Sequence, residues 1–323
     1  MTGADLVARA EALAPVLAER ANEAASLRRL PDATIVAFQE AGFFRMLQPS
    51  RWGGYEVHPK VFFDVQRIVA AACPSSAWVL GVVGVHSWQL ALFAEQAQED
   101  VWGDDRSVLI SSSYAPTGKV ERADGGYLVS GRWSFSSGCD HCQWAFLGGF
   151  VPPESESAPP DMRTFLLPRS DYRIEDNWHT AALTATGSKD VVVERAFVPE
   201  HHTHRLIDGY KRNSPGNALN TAPLYRLPFG QIFVRSVSTS AIGAAEGALH
   251  VFTEEARRKI GASDGAKVAL DPATQIVCAR ASSAIDEARA LLYRNFDEMM
   301  GLAERGEDIP IDRRVRFRYD SSN

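Results

Sequence analysis

Apolar residues in the first hundred positions recur every three or four residues, which is the spacing of amphipathic helices. Pro15 falls inside the first of these patterns and is expected to kink it, whereas Pro31 and Asp32 open the second. The predicted helices cover residues 4–27, 31–46, 59–72 and 75–93, with a short one ending near Trp102.

From residue 108 the apolar period changes to two, which predicts short β-strands. Gly125-Gly126 and Pro152-Pro153 are among the turn signals around them. The predicted strands cover residues 108–113, 119–122, 127–130, 144–150, 164–168 and 190–197. Strands this short and closely spaced predict a small antiparallel barrel or sandwich.

Helical spacing returns in the last third of the chain. Helices are predicted over 234–260, over 272–303 and from Asp312 onward. Gly243 and Gly247 on the first of them would let another helix approach closely. The third helix has no evident partner for its apolar side, so the bundle is expected to be cut short or completed by another subunit.

These patterns together predict an α+β protein of three domains. An N-terminal helical domain takes residues 1–104, a central antiparallel β-barrel takes 105–205, and an incomplete C-terminal helical bundle takes 206–323.

Composition removes two classes of function. Lys and Arg number 34 against 40 Asp and Glu, a formal charge of −6 without a basic block, so nucleic-acid binding is not expected. Residues 68–94 carry no formal charge, but Pro74 divides the stretch and His86 lies within it, which fits buried helices better than a membrane span. Because residues 1–5 do not begin a secretory leader, a cytoplasmic protein is expected.

Several familiar motifs are absent from the sequence. It lacks the glycine-rich motifs of a Rossmann dinucleotide site and of a P-loop, and the G-x-S-x-G of α/β-hydrolases. Its C-x-x-C, from Cys139 to Cys142, encloses His141, but no second pair completes a zinc site and no βαβ unit supports a redox site. A structural turn is therefore favoured here, and no metal is expected.

Three segments of the β region are rich in glycine and hydroxyl side chains. They cover residues 110–118, 131–138 and 183–188, each at a strand end or turn. At such positions backbone N–H and side-chain O–H groups can face a flat polar ligand, but Ser, Thr and Gly also favour turns for conformational reasons. The residues alone leave both interpretations open.

Eight short stretches carry a resemblance to a known family: 27–31, 42–44, 47–49, 52–54, 84–88, 110–116, 136–141 and 185–188. The order of helices, hydroxyl-rich β region and long helices resembles the acyl-CoA dehydrogenase fold. The finer resemblance is to the oxygenase components of two-component, flavin-dependent aromatic monooxygenases. Examples are the large component of 4-hydroxyphenylacetate 3-hydroxylase and the actinobacterial hydroxylase of phenolic secosteroids. The resemblance covers nearly the whole chain.

The resemblance implies which residues surround the flavin. Phe135 would flank the isoalloxazine ring, and Ser137 would lie beside flavin N5, where its hydroxyl could steady a C4a-hydroperoxide. Thr186, Gly187 and Ser188 would form the loop around the ring or the ribityl chain.

The resemblance also implies substrate contacts and a contact between subunits. Ser112 would bind the flavin or the phenol, with Tyr114 as a further substrate contact. His86 would contact the phenol oxygen, poised near neutral pH to share its proton, although a lone histidine on an apolar helix is usually a core residue. Arg258 would reach the flavin phosphate of a neighbouring subunit, yet a basic residue at a helix C-terminus also suits the helix dipole.

The implied activity is that of a monooxygenase that receives reduced flavin, FMNH₂ or FADH₂, from a separate NAD(P)H:flavin reductase. The flavin would form a C4a-hydroperoxyflavin with O₂ as co-substrate, and an aromatic, phenolic substrate would be hydroxylated ortho to its hydroxyl. The family resemblance also implies a homotetramer.

Other functions stay open on the sequence. An acyl-CoA dehydrogenase of the same fold would need a carboxylate base near the flavin, and Glu254 and Glu255 look like exposed positions. An N- or S-oxygenase and a non-catalytic flavin-binding homologue are further alternatives. A second active-site histidine of the family has no counterpart in this sequence.

Overall fold

The fold begins with a layer of packed helices. The computed structural model describes residues 1–153, 155, 157–261, 265 and 267–322. The first helices are α1 (Gly3–Glu19), α2 (Ala21–Leu27), α3 (Asp32–Ala41), α4 (Pro59–Ala72), α5 (Pro74–Leu90) and α6 (Glu95–Trp102).

Two of the predicted N-terminal helices differ from the structure, and backbone conformation explains one of the differences. The predicted helix over 4–27 is divided at Arg20 into α1, which includes Pro15, and α2. Gly42 ends α3 with φ at 82°, a left-handed conformation that glycine adopts without strain. Phe43 and Met46 therefore lie beyond α3, although the sequence pattern placed them on it. Pro74 begins α5 one residue before the predicted start at Ser75, because proline is favoured in the first turn of a helix.

Helix α5 is buried along most of its length by the helices and strands around it. This burial explains why its sequence carries no charge, since a helix apolar on every face needs a protein core or a lipid environment. Within the described part of the chain, no helix combines the length and apolar character that crossing a bilayer requires. The uncharged stretch is thus accounted for by the protein interior.

The strands form two sheets of four. The strands are β1 (Ile110–Ser113), β2 (Lys119–Ala123), β3 (Gly126–Ser136), β4 (Trp144–Val151), β5 (Asp161–Pro168), β6 (Arg173–Glu175), β7 (Lys189–Pro199) and β8 (Thr203–Arg205). Their orders are β1-β4-β5-β8 and β2-β3-β7-β6. The pairings are antiparallel except that β1 runs parallel to β4.

One apolar core joins the two sheets. Trp133 of β3, Phe165 of β5 and Val191 of β7 are fully buried in it. Strand β3 is longer than its predicted 127–130, because the hydroxyl-rich residues up to Ser136 continue the ladder with β7. Strands β6 and β8 were not predicted, since three residues are too few to show a period of two.

Further helices, two of them long, complete the fold. They are α7 (Leu206–Lys211), α8 (Phe229–Arg258), α9 (Pro272–Glu304) and α10 (Ile311–Asp320). A Cβ at Gly243 would lie 2.2 Å from the backbone oxygen of Arg67, and one at Gly247 would lie 2.3 Å from that of Ala71. The predicted close approach at these glycines is therefore confirmed, and α4 is the helix that makes it. The domain boundaries at 104/105 and 205/206 stay a prediction.

Candidate active site

A cleft opens where α5, β1, the end of β3 and α8 meet. Its volume is about 250 Å³. Its lining residues are Trp78, Val82, Ser112, Ser113, Tyr114, Ala115, Ser134, Phe135, Ser137, Phe233 and Val237. None of these carries a formal charge, so the cleft suits a flat, largely neutral ligand better than a compact ion.

One side of the cleft, the hydroxyl wall, consists of Ser112, Ser113, Ser134 and Ser137. Ser112 and Ser113 belong to β1, Ser134 belongs to β3, and Ser137 follows β3. Successive side chains of a strand point to opposite faces, so the hydroxyl groups of Ser112 and Ser113 have different orientations. The Ser113 hydroxyl donates a 2.6 Å hydrogen bond to the backbone oxygen of Ser134, which ties the two strands together. Two of the predicted binding residues, Ser112 and Ser137, thus lie on one wall.

Phe135 stands at the rim of the hydroxyl wall in an unusual conformation. Its φ is 67°, a left-handed value that costs a residue with a side chain free energy, and its side chain is 70% exposed. The ring contacts Trp178 edge to face, with centroids 6.0 Å apart. An exposed aromatic ring held in a strained backbone conformation beside a polar cleft suits stacking on a flat ligand.

Ser137 is joined by hydrogen bonds to the loop that precedes β7. Its Oγ accepts from the indole N–H of Trp78 at 3.0 Å and lies 2.7 Å from the Ser188 hydroxyl. The Ser188 hydroxyl lies 2.7 Å from that of Thr186, which donates to the backbone oxygen of Leu183 at 2.9 Å. Thr186 and Ser188 are therefore brought to Ser137, but they lie behind it and not in the lining of the cleft.

Gly187 has a conformational reason to be glycine. Its φ is 53°, and a Cβ there would lie 3.2 Å from both the backbone oxygen of Arg28 and a carboxylate oxygen of Asp140. Around it, Lys189 pairs with Asp140 at 3.0 Å, and Arg28 pairs with Asp176 at 2.6 Å. The first of these ion pairs is well buried, and it joins the start of β7, next to the loop of Thr186 and Ser188, to the turn that follows Ser137.

A second part of the cleft lining, the aromatic wall, consists of Tyr114 and Phe233, which contact Phe229. Tyr114 meets Phe233 edge to face at 4.9 Å, and Phe229 stacks on Phe233 at 5.7 Å. The Tyr114 hydroxyl donates to Oε1 of Gln89, and burial raises the pKa of this tyrosine far above its ordinary value. Tyr114 is thus a neutral phenol whose hydrogen points away from the cleft.

His86 lies behind Tyr114 and is absent from the cleft lining. Its ring contacts Tyr114 edge to face at 6.2 Å, and its Nδ1 donates a 2.6 Å hydrogen bond to the backbone oxygen of Ile110. Its Nε2 is buried and has no hydrogen-bond partner among the described residues. Burial lowers the pKa of His86 to about 4, so the ring is neutral and not poised near neutral pH as the sequence suggested.

The C-x-x-C forms the structural turn that the sequence favoured. Cys139 and Cys142 are buried free thiols on a short 3₁₀ turn, with sulfurs near the backbone oxygens of Gly187 and Gly138. Burial raises the pKa of Cys139 to about 12 and raises that of Cys142 well above its ordinary value. Neutral thiols of this kind are poor nucleophiles and poor metal ligands.

Residues predicted near the flavin from α8 lie outside the cleft. Arg258 is the last residue of α8, and its side chain is 74% exposed, 3.8 Å from Glu254. Glu254 also pairs with Arg257, and Glu255 is exposed. The cleft lining therefore contains no carboxylate that could act as the base of a dehydrogenase.

A separate polar cluster, outside this cleft, joins α6 to the turn before β8. Nε2 of His201 and Nε2 of His202 lie 3.0 and 2.8 Å from the same carboxylate oxygen of Asp100. The other oxygen of Asp100 accepts a 2.8 Å hydrogen bond from Gln96. The spacing is compatible with a metal ion, but hydrogen bonds already account for these contacts, and the sequence expectation of no metal stays a prediction.

Sequence reasoning missed the helical contributions to the cleft. Trp78 and Val82 of α5, with Phe233 and Val237 of α8, line it. The spacing of the sequence could have identified Trp78 and Val82. These residues precede His86 by eight and four residues, so all three share one face of a helix. The residues of α8 could not be found this way, because the packing of α8 against the β unit is a long-range property.

The chain is similar to known proteins over most of its length. Residues 236–322 match the acyl-CoA dehydrogenase C-terminal domain family. The chain is 46% identical over 313 residues to the oxygenase subunit HsaA of a flavin-dependent monooxygenase from Rhodococcus jostii, covering 97% of this chain and 81% of the relative. It is 33% identical to the oxygenase component of an FADH₂-dependent resorcinol hydroxylase from a Rhizobium species, covering 93% of this chain and 74% of the relative.

A solved structure shows the same fold. The crystal structure of the 3-HSA hydroxylase from Rhodococcus sp. RHA1 superposes with a TM-score of 0.93 at 45% identity, covering 98% of this chain and 81% of that one. The cleft, its neutral lining and this similarity over nearly the full described length agree with one another. The chain belongs to the family of oxygenase subunits of flavin-dependent monooxygenases, which share the acyl-CoA dehydrogenase-like fold.

Proposed function

We propose that the chain binds reduced flavin from a separate NAD(P)H:flavin reductase and hydroxylates a phenolic substrate next to its existing hydroxyl, with O₂ as co-substrate. The observation that carries the proposal is the pairing of the hydroxyl wall, with exposed Phe135 at its rim, and the aromatic wall, with neutral His86 behind it. The resorcinol hydroxylase component is named for FADH₂ and a phenol, which supports the same classes of cofactor and substrate here.

The residues fit a flavin in shape and polarity. An isoalloxazine ring is flat and aromatic with hydrogen-bonding groups along its edges, which matches a cleft lined by serine hydroxyls and bounded by Phe135 and Trp78. In this assignment Ser137 meets the N5 edge, while Thr186 and Ser188 support Ser137 from behind. The flavin, when bound, supplies the oxygen-activating chemistry, and the protein supplies orientation and exclusion of water.

The aromatic wall is assigned to the phenol. Its rings pack against an aromatic substrate, and the oxygen of Tyr114 can accept a hydrogen bond because its own hydrogen is donated to Gln89. Nε2 of His86 is a lone-pair acceptor, since the carbonyl of Ile110 holds the ring hydrogen at Nδ1. His86 stands behind Tyr114, so Tyr114 must turn aside before a phenol hydroxyl can reach Nε2. With a pKa of about 4, His86 then orients that hydroxyl and polarises its O–H bond without keeping the proton at neutral pH.

The alternatives are less well supported by the cleft. A dehydrogenase base is missing from the lining, as Glu254 and Glu255 lie at the exposed end of α8. Binding of reduced flavin without substrate oxidation would instead indicate the non-catalytic homologue.

The test is oxygen incorporation under single-turnover conditions. Protein loaded anaerobically with dithionite-reduced FMN, or separately FAD, is mixed with oxygen-18 gas in buffer containing resorcinol or 4-hydroxyphenylacetate. We expect one labelled oxygen atom on the ring carbon next to a hydroxyl, and no flavin reduction when NADH is given without a reductase. Complete conversion of the oxygen to hydrogen peroxide with both flavins and both phenols would contradict the proposal.

We further propose a homotetramer in the cytoplasm. Exposed apolar side chains on the long helices support an assembly, among them Val251 at 61%, Val277 at 58% and Val315 at 63%. Arg258 at the end of α8 would then be free to reach a neighbouring cleft. Light scattering during size-exclusion chromatography tests the assembly, and a monomer at micromolar concentration would contradict it.

A further inference from the structure

Four hydrogen bonds in series connect the cleft to a backbone carbonyl. They run from the indole N–H of Trp78 to Ser137, on to Ser188 and Thr186, and end on the backbone oxygen of Leu183. The three hydroxyl groups are nearly buried, and of the three only that of Ser137 belongs to a residue that lines the cleft. We call this series the hydroxyl chain.

The two ends of the hydroxyl chain determine its direction. An indole N–H can only donate, a carbonyl oxygen can only accept, and each hydroxyl has a single hydrogen. The bond to Leu183 must use the hydrogen of Thr186, so the next bond must use that of Ser188, and the next that of Ser137. Any other arrangement leaves one of the four bonds without a hydrogen.

The direction leaves Ser137 with an acceptor toward the cleft and no donor. Its hydrogen is directed to Ser188, one lone pair accepts from Trp78, and the other lone pair is free. Ser113 and Tyr114 likewise donate away from the cleft, to the Ser134 carbonyl and to Gln89. Ser137, Ser113 and Tyr114 therefore all present oxygen acceptors to a ligand.

We infer that Thr186 and Ser188 are positioning residues that make the cleft select reduced flavin over oxidised flavin. The inference rests on the proposed function, in which Ser137 meets N5. Reduced flavin carries a hydrogen on N5 and can donate it to Ser137, whereas oxidised flavin has a bare lone pair there that would face another lone pair. Ser188 and Thr186 act through Ser137 and do not touch the ring.

The test compares the affinities of the two flavin forms in variants of the hydroxyl chain. Thr186→Val keeps the shape of the side chain but removes its hydroxyl, so Ser188 can donate to Ser137 and Ser137 can donate into the cleft. Ser188→Ala frees the Ser137 hydrogen directly and serves as the second variant if the first folds poorly. Thr184→Val is the matched control, since its hydroxyl donates to the Thr180 carbonyl in the same loop but belongs neither to the hydroxyl chain nor to the cleft lining.

Kd is measured by protein fluorescence for oxidised flavin in air and for dithionite-reduced flavin under argon. We expect the ratio of oxidised to reduced Kd to fall at least about tenfold in Thr186→Val and Ser188→Ala, but less than about twofold in Thr184→Val. A tenfold fall equals a shift of about 30 mV in the two-electron potential of the bound flavin. In a Ser137→Ala background, Thr186→Val should have no further effect on the ratio.

The outcomes separate the inference from the proposed function. A ratio unchanged in both Thr186→Val and Ser188→Ala, with both flavin forms still bound, overturns the inference and leaves the proposed function standing. An equal effect of Thr186→Val with and without Ser137 also overturns it, because the residue would then act by another route. Wild-type protein that binds neither form overturns the proposed function and the inference together.

Discussion

The two walls of the cleft use different physical means to hold a ligand. On the hydroxyl wall, Ser137 is oriented by a series of hydrogen bonds that ends on a backbone carbonyl. On the aromatic wall, Tyr114 and Phe233 are held by edge-to-face packing, and one hydrogen bond to Gln89 fixes the tyrosine hydroxyl. The first wall defines direction at one atom, and the second defines shape over an area. In the proposed function, the hydroxyl wall positions the reactive edge of the cofactor, and the aromatic wall positions the substrate ring beside it.

Changing His86, behind the aromatic wall, should distinguish the contributions of the two walls by the largest effect. His86→Asn retains an amide N–H near Nδ1 for the Ile110 carbonyl but removes the Nε2 acceptor. We expect hydroxylation to slow about 100-fold while reduced flavin is still oxidised by O₂, since the substrate loses its acceptor but the flavin does not. Product formation and peroxide release are measured in the same reaction.

His86→Gln is the matched control, because its amide lies near Nε2 and abandons the Ile110 carbonyl. This variant should lose more stability than His86→Asn but retain more hydroxylation. The assignment of Nε2 to the substrate is wrong if the two variants hydroxylate equally well.

On the hydroxyl wall, Ser137→Ala should lower the yield of hydroxylated product per flavin oxidised about tenfold, with a matching rise in hydrogen peroxide. The reason is the loss of one hydrogen bond at the reactive edge of the flavin, worth roughly 1.5 kcal/mol. Ser113→Ala, on the same wall, should keep the wild-type yield. Equal yields in the wild type, Ser137→Ala and Ser113→Ala would show that Ser137 has no role in coupling flavin oxidation to hydroxylation.

Acid should destabilise the protein through two buried histidines, only one of which lies near the cleft. Burial lowers the pKa of His86 and of His204 from 6.5 to about 4. Between these values the unfolded chain binds protons that the folded chain does not, so stability falls as the pH drops from 6.5 to 4. Each histidine accounts for about 3 kcal/mol once the pH is below 4.

Urea unfolding at pH 7.0, 5.5 and 4.5 measures this effect, because the first value lies above the expected window and the other two lie within it. His86→Asn and His204→Asn should each flatten the pH dependence by a similar amount. A variant that left the pH dependence unchanged would show that the pKa of that histidine is not lowered in the folded protein.

The smallest effect concerns the strained residue at the rim. Phe135→Gly should raise the free energy of unfolding by up to about 1 kcal/mol, because glycine adopts a φ of 67° without strain. The same change should weaken flavin binding, since the stacking ring is lost. Thermal unfolding without ligand and flavin titration measure the two effects, and a less stable variant would show that the contact with Trp178 outweighs the strain.

Local patterns predicted much of this fold. The bounds of α4 match the predicted 59–72, and the start of α5 follows from Pro74, because these features depend on helical spacing and on proline geometry within a few residues. The parallel pairing of β1 with β4 could not be predicted, since register and direction depend on contacts between distant segments. The hydroxyl-rich residues 131–136 belong to β3 for the same reason, as their ladder partner is β7.

The site was predictable to a different degree on each wall. Resemblance to the family named Ser112, Phe135 and Ser137, and the structure brings them to one cleft. It also placed Ser188 in a loop around the ring or the ribityl chain, and the hydrogen bonds join the hydroxyl of this residue to that of Ser137. Which of two neighbouring hydroxyls faces a ligand depends on side-chain orientation, which a sequence does not specify.

The parallel strand pair has a consequence for the order in which the protein folds. A connection between parallel strands must leave the sheet and return, and here β2 and β3 of the other sheet lie within that excursion between β1 and β4. Ser112 stands before the excursion and Ser137 near its end, so they become neighbours only after both sheets have docked. Long-range closure of this kind is slow compared with helix formation. We therefore expect the helices to form early and the cleft to be completed among the last events of folding.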